Sequence, residues 1–169
     1  TSNVLKTVER EYDGGAAGKN SHLTKMSGYK DGSAKDDTTL TYDYRGRKIL
    51  DLPALAPFSV HKYDNMGRLI ATGLYSSSSG LTNSTDPTTA ATNRMALTQT
   101  FFDEMGRVWK SQRHKIDDAD GSDDDNLQTL NWYDKVGRLV KTDGPELAKT
   151  KYDRLGRVTD EYVLAEDND

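Results

Sequence analysis

One hexapeptide, aromatic-Asp-x-x-Gly-Arg, recurs five times in the 169 residues and constrains the fold more than any other feature. It reads Tyr42-Asp43-Tyr44-Arg45-Gly46-Arg47, Tyr63-Asp64-Asn65-Met66-Gly67-Arg68, Phe102-Asp103-Glu104-Met105-Gly106-Arg107, Tyr133-Asp134-Lys135-Val136-Gly137-Arg138 and Tyr152-Asp153-Arg154-Leu155-Gly156-Arg157. At ordinary residue frequencies one Asp-x-x-Gly-Arg is expected only about 0.03 times in such a length. The copies are therefore an internal repeat. Tyr12-Asp13-Gly14-Gly15 reads as a degenerate sixth copy. The aromatics of the five clear copies are 21, 39, 31 and 19 residues apart, so a unit of about 20 residues has taken insertions twice.

The hexapeptide has the chemistry of a hairpin turn. Asp suits the first position of a type I turn, where its carboxylate accepts from the backbone two residues on. Gly three residues later can take the left-handed conformation that closes a three-residue loop with a bulge. This register sets Asp opposite Arg, Asp64 against Arg68 for instance, as a cross-strand pair of opposite charge. One step outward, on the other face, it sets Tyr63 against Leu69, Phe102 against Val108, Tyr133 against Leu139 and Tyr152 against Val158. Tyr42 meets Lys48 instead. A further step outward, the same count pairs Phe101 with Trp109 and Trp132 with Val140.

Apolar residues follow a period of two more often than 3.6, and Gly interrupts every candidate helix. The expected fold class is all-β, with strands near 3–12, 22–30, 38–44, 47–52, 58–64, 67–75, 96–103, 106–115, 127–134, 137–143, 148–153 and 156–164. Residues 1–37 read as a degenerate first repeat and opening hairpin, and 38–164 as five hairpin repeats. Loop insertions are expected at 76–95 and 116–126, with an acidic tail at 165–169. The Ser/Thr-rich stretch 76–93 reads as a flexible loop, and 117–125, with six Asp, as a solvated one. Stacked hairpins of this kind should form an unclosed sheet with a free edge.

Composition removes several functions. The net charge is −4, which leaves no basic excess to neutralise phosphates and argues against nucleic acid as a partner. Cysteine is absent, excluding disulfides, Cys-ligated metals and thiol nucleophiles. No apolar run approaches the roughly 20 residues of a membrane-spanning helix, so no membrane insertion is expected, and no signal peptide is visible. His22, His61 and His114 are not at metal-ligand spacing and are expected in structural or solvated roles. No Gly-x-Ser-x-Gly elbow, phosphate loop or dinucleotide fingerprint occurs. The repeated Asp residues could be imagined as paired acids for glycoside cleavage. A catalytic pair is needed once, however, and a turn residue every time, so no enzyme and no cofactor are expected. Asn83-Ser84-Thr85 is a glycosylation sequon, meaningful only in a secreted eukaryotic protein.

The aromatic-Asp-x-x-Gly-Arg-Leu/Val unit resembles the YD repeat of the Rhs family, which includes bacterial Rhs proteins, the shell component of Tc-type toxins, and teneurins. The resemblance runs from about residue 38 to 164 and extends towards Val4 through Tyr12-Asp13. It implies tandem antiparallel β-hairpins forming a curved, open strip of a YD-repeat shell. In that family such shells enclose toxin domains or form extracellular scaffolds that contact carbohydrate. The implied role is a non-catalytic structural module of a large secreted or cell-surface protein. Its implied partners are neighbouring repeats of the parent chain, and beyond them glycans or an enclosed domain. Five or six units are too few to close a cage, and the family's aspartyl autoproteolysis segment is missing. The alternative is a carbohydrate-binding module using exposed Tyr and Trp on one sheet face.

Asp118-Ala119-Asp120-Gly121-Ser122-Asp123 partly resembles a calcium loop, but Ile116 stands where the first ligand belongs. Millimolar calcium should therefore leave the melting temperature almost unchanged. A rise of several degrees, reversed by chelator, would show that the loop is a calcium site.

Overall fold

A computed structural model describes residues 7–15, 20–30, 34–117 and 119–164. They form one antiparallel sheet of twelve strands in strict sequence order. The strands are β1 (Val8–Tyr12), β2 (Leu23–Lys30), β3 (Ala34–Tyr42), β4 (Lys48–Leu52), β5 (Phe58–Tyr63) and β6 (Leu69–Tyr75), followed by β7 (Arg94–Phe102), β8 (Val108–Ile116), β9 (Asp123–Tyr133), β10 (Leu139–Asp143), β11 (Leu147–Tyr152) and β12 (Val158–Leu164). β1 and β12 are the two edges, so the sheet is an open strip and not a barrel. Residues 1–6 and the acidic 165–169 lie outside the described residues.

The turn chemistry explains why hairpins form where they do. In all five clear copies the Asp N–H donates to the Arg carbonyl at 2.9–3.0 Å, and the Gly N–H donates back to the Asp carbonyl at 3.0–3.1 Å. The five glycines take φ of +75° to +92°, the left-handed region that closes the loop. Tyr63 pairs with Leu69, Phe102 with Val108, Tyr133 with Leu139, Tyr152 with Val158, and Tyr42 with Lys48.

One step further out the expected register fails. Phe101 pairs with Lys110 and not Trp109, and Trp132 pairs with Lys141 and not Val140. A second bulge is the cause. Ile49, Ile70, Trp109, Val140 and Thr159 each occupy an extra place, two residues after the turn Arg. Such a bulge strengthens the local twist of the hairpin.

The six motif turns all lie along one edge of the strip, and the remaining connections, the long 76–93 segment among them, lie along the other. Two expected loops differ from their reading. β9 begins at Asp123, so only 117–122 remain as the acidic connection. The chain at 76–93 is not a loose loop but is folded onto the sheet. Pro87 and Tyr75 are fully buried, the Tyr75 hydroxyl donates to the Ala90 carbonyl at 3.0 Å, and Lys62 Nζ bonds the Asp86 carboxylate. Gly73 permits this approach, since a Cβ there would lie 2.9 Å from both Pro87 Cβ and the Tyr75 ring. Beneath this segment sits the small core of Leu50, Val60 and Tyr75, with Leu52, Phe58 and Leu81 packed against it.

Gly137 tests the turn geometry cleanly. Its φ is +92°, and an added Cβ would meet only Arg107 Nη1 at 3.6 Å, so room exists and the backbone alone resists. Gly137→Ala should destabilise the protein by about 1–2 kcal/mol, read as a lower urea midpoint at unchanged slope. An unchanged or higher midpoint would contradict the left-handed turn.

Candidate functional site: the ladder between repeats

The motif residues do two jobs, one within each hairpin and one between hairpins. Within the hairpin the Asp carboxylate is saturated. In the unit of Asp64, Oδ1 accepts from the backbone N–H of Met66 and of Arg68, both at 2.9 Å, and Oδ2 accepts from Arg68 Nε at 2.6 Å. Asp43, Asp103, Asp134 and Asp153 repeat this pattern, with Arg Nε to Oδ2 at 2.7 Å in each. The Arg is thereby held flat over the turn, with its remaining donors pointing along the strip.

Between hairpins that guanidinium lies on the aromatic ring of the following unit. Arg47 sits 4.7 Å from the Tyr63 ring centre, Arg68 4.4 Å from Phe102, Arg107 4.5 Å from Tyr133, and Arg138 4.6 Å from Tyr152. At two junctions Nη1 also donates to the next Asp carbonyl, Arg47 to Asp64 at 3.1 Å and Arg138 to Asp153 at 3.2 Å. At Arg68 and Arg107 the corresponding Nη1 is buried against the next turn without a hydrogen bond. The tyrosines reply in the opposite direction. Tyr63, Tyr133 and Tyr152 hydroxyls donate to the carbonyls of Lys48, Val108 and Leu139, each the residue after the preceding Arg, at 2.8–3.0 Å. Phe102 has no hydroxyl to do so.

The first unit enters the same ladder through a different residue. Asp13 N–H donates to the His22 carbonyl at 2.8 Å, Tyr12 pairs with Leu23, and the His22 ring stacks on Tyr42 at 4.7 Å and 16°. His22 therefore occupies the Arg position of the degenerate repeat. The lengthened turn disguises it in sequence, although the Leu that follows it matches the Leu or Val after Arg elsewhere. Spacing within single motifs also hides the stacking itself, because the partners are 14–34 residues apart.

The other two histidines are structural. His61 lies between the Ser59 and Thr72 hydroxyls, each at 3.3 Å, and burial holds its pKa below the usual value. His114 Nδ1 lies 3.1 Å from the Asp123 carboxylate. That carboxylate also takes Arg94 Nη2 at 2.6 Å, while Arg94 Nη1 and Nε donate to the carbonyls of Pro87 and Gly121. Arg94, almost wholly buried, thus ties the 76–93 segment to the acidic connection. A lone Arg after a polar stretch, with an Asp run to come, was the available signal. Among the described residues no group of three or more His, Asp or Glu is arranged to hold a metal.

No protein-family model and no curated protein matches the chain. Similar solved structures include TcdB2-TccC3 without its hypervariable C-terminal region, at 14% identity and a TM-score of 0.45, and the Photorhabdus luminescens Tc holotoxin pore, also at 14% and 0.45. TcdB2-TccC3 itself is similar at 15% identity with a TM-score of 0.43. These alignments cover 86% of this chain but only 8% or 9% of the other. In its repeat unit the chain resembles the YD-repeat family. The chain spans less than a tenth of the length of the structures it matches.

The YD-type turns make stability acid-sensitive. At Asp43, Asp64 and Asp134 desolvation is the largest single influence and pushes the pKa up, but hydrogen bonds from the turn, chiefly from the paired Arg, outweigh it and the net shift is down. At Asp103 and Asp153 the Arg backbone N–H is the largest influence, and again the shift is down. A folded pKa below the unfolded one gives stability that is complete above about 3.9 and is lost as pH falls through the folded value. The urea midpoint should therefore hold down to about pH 5 and fall steeply below about pH 4. Asp134→Asn should lower the midpoint at neutral pH and reduce that fall. An acid limb identical to that of the parent protein would show that the turn carboxylate is not its source.

Proposed function

We propose that the chain is a non-catalytic structural module, a length of β-strip in a YD-repeat shell. The parent would be a larger protein that is secreted or held at the cell surface. The neighbouring repeats of that protein are its principal partners, and a domain enclosed by the shell is the second. The single observation that carries this reading is the unfinished ladder. Arg47, Arg68, Arg107 and Arg138 side chains are 22–34% exposed under the ring of the next unit, whereas Arg157, at the β12 edge, is 75% exposed. At the other edge Tyr12 is 48% exposed, and no guanidinium of the described residues lies on its ring. Each edge therefore offers one half of a contact that every internal junction completes. Catalysis fits poorly with a motif whose carboxylates are all saturated by turn N–H groups and an Arg.

The test is to extend the strip. A copy of residues 144–164 appended after Leu164 places a second Tyr152 beside Arg157 and Lys149 opposite Asp160. The extended chain should melt several degrees higher as one cooperative unit. Arg157→Ala should remove most of that gain in the extended chain while leaving the original chain within about 0.5 kcal/mol. An appended unit that stays unfolded, or a gain indifferent to Arg157, would overturn the reading.

A further inference from the structure

The turns carry a row of apolar side chains that the hairpins do not need. Met66, Met105, Val136 and Leu155 stand at the same place in four successive motif turns, immediately before the left-handed Gly, and are 71–79% exposed. With Tyr44 and Leu55 they are the most exposed large apolar residues among those described. Type I turns accept most residues and are commonly built from Asn, Asp, Ser and Gly, so turn chemistry asks for nothing apolar here. Successive motif turns are two strands apart, so the four side chains make a ridge about 29 Å long on the turn edge. The first motif turn does not continue it. Arg45 takes that place and donates to the Asn65 carbonyl at 2.6 Å.

Beside the ridge runs a second row, formed by the residue before each apolar one: Asn65, Glu104, Lys135 and Arg154. All four are exposed, and Glu104, Lys135 and Arg154 have no ion pair among the described residues. A second copy can be laid edge to edge and antiparallel, about a two-fold axis between the turns of Met105 and Val136. Met105 then meets Val136 and Met66 meets Leu155, each pair twice. The same operation sets Glu104 against Lys135 at both central positions and Arg154 against Asn65 at both ends. A parallel alignment instead sets Glu104 against Glu104 and Lys135 against Lys135. Moving the axis onto either central turn makes one of those like-charge pairs and leaves an end of the ridge without an apolar partner.

We propose that this ridge is a self-association surface, joining two copies of the chain turn edge to turn edge as an antiparallel two-fold dimer. Eight apolar side chains and the two polar rows cover on the order of 1,000 Å², the low end of specific interfaces, so the dimer is weak and concentration-dependent. A lipid surface could also cover apolar turn tips. Glu104, the row of turn Asp residues and a net charge of −4 oppose an anionic bilayer, whereas a second copy answers each charge of the central pair. The ridge is separate from the strand edges of β1 and β12, on which the shell reading rests. Those edges would add copies head to tail without limit, but a two-fold contact closes at two.

Sedimentation equilibrium of the full chain from about 1 to about 300 µM should fit a monomer–dimer equilibrium. Val136→Ser, Glu104→Lys and Lys135→Glu should each weaken the dimer at least tenfold, with circular dichroism unchanged. An equimolar mixture of Glu104→Lys and Lys135→Glu should dimerise at least as tightly as the parent, because the mixed pair sets Lys against Glu at both central positions. A chain monomeric throughout overturns the proposal, and its binding to phosphatidylglycerol vesicles would then assign the ridge to a membrane. Association beyond two copies, unchanged dimerisation of Val136→Ser, or a mixture no tighter than its components overturns it as well.

Discussion

Everything in this strip depends on an arginine that is held by one hairpin and used by the next. The Asp beneath it fixes the guanidinium plane, so little side-chain freedom remains to be lost when a ring from the following unit meets it. A cation over an aromatic ring contributes about 0.5–1 kcal/mol at the surface and more when desolvated. The contact also runs in a single direction, from Arg forwards and from Tyr hydroxyl backwards, which gives the strip a polarity that hydrogen-bonded strands alone would lack.

The same contact sets register. Among the described residues only Leu50, Val60, Ala71, Tyr75, Pro87 and Leu97 are buried apolar residues, and a sheet so thinly covered specifies its strand pairing weakly. Yet the pairings Leu50 with Val60, Ala71 with Gln99, Lys110 with Leu130 and Lys141 with Lys149 all bring Arg and the next aromatic opposite one another. Lys25 with Thr39 does the same for His22 and Tyr42. The ladder also explains where insertions are tolerated. Lengthening a motif turn separates Asp from Arg, and in the one turn that is lengthened the Arg has given way to His22. The long connections accordingly collect on the opposite edge.

What could be read in advance divides along the same line. The turn, the Asp–Arg pair, the left-handed Gly and the first aromatic pair are fixed by seven contiguous residues, and those residues state them openly. The twelve strands follow, since each turn delimits two of them. The second bulge was not legible: nothing in Trp109 or Val140 marks an extra residue, because bulging there answers to twist and not to side-chain type. The interlocking of units was not legible either, as it joins residues from separate motifs across 14–34 positions. The packing of 76–93 onto the sheet is not legible for a different reason. Ser and Thr signal solvent on average, but Gly73 opens a gap that Pro87 fills, and Arg94 finds carbonyls enough to be buried.

That fold has a consequence for how the strip is stabilised. An isolated array of hairpins gains stability from each unit and each junction in turn, so its weakest points are its ends. Here the junction of β6 and β7 carries the longest insertion, and it is also where Leu97 and Tyr75 are buried and where Phe102 lacks the hydroxyl bond found at other junctions. The inserted segment supplies burial at the junction that lacks both the hydroxyl bond and the Arg68 Nη1 bond. Arg94 then extends that support to the next connection through Gly121 and Asp123. The two insertions therefore act as one buttress across β5 to β9 on the edge away from the turns, leaving the turn edge uniform.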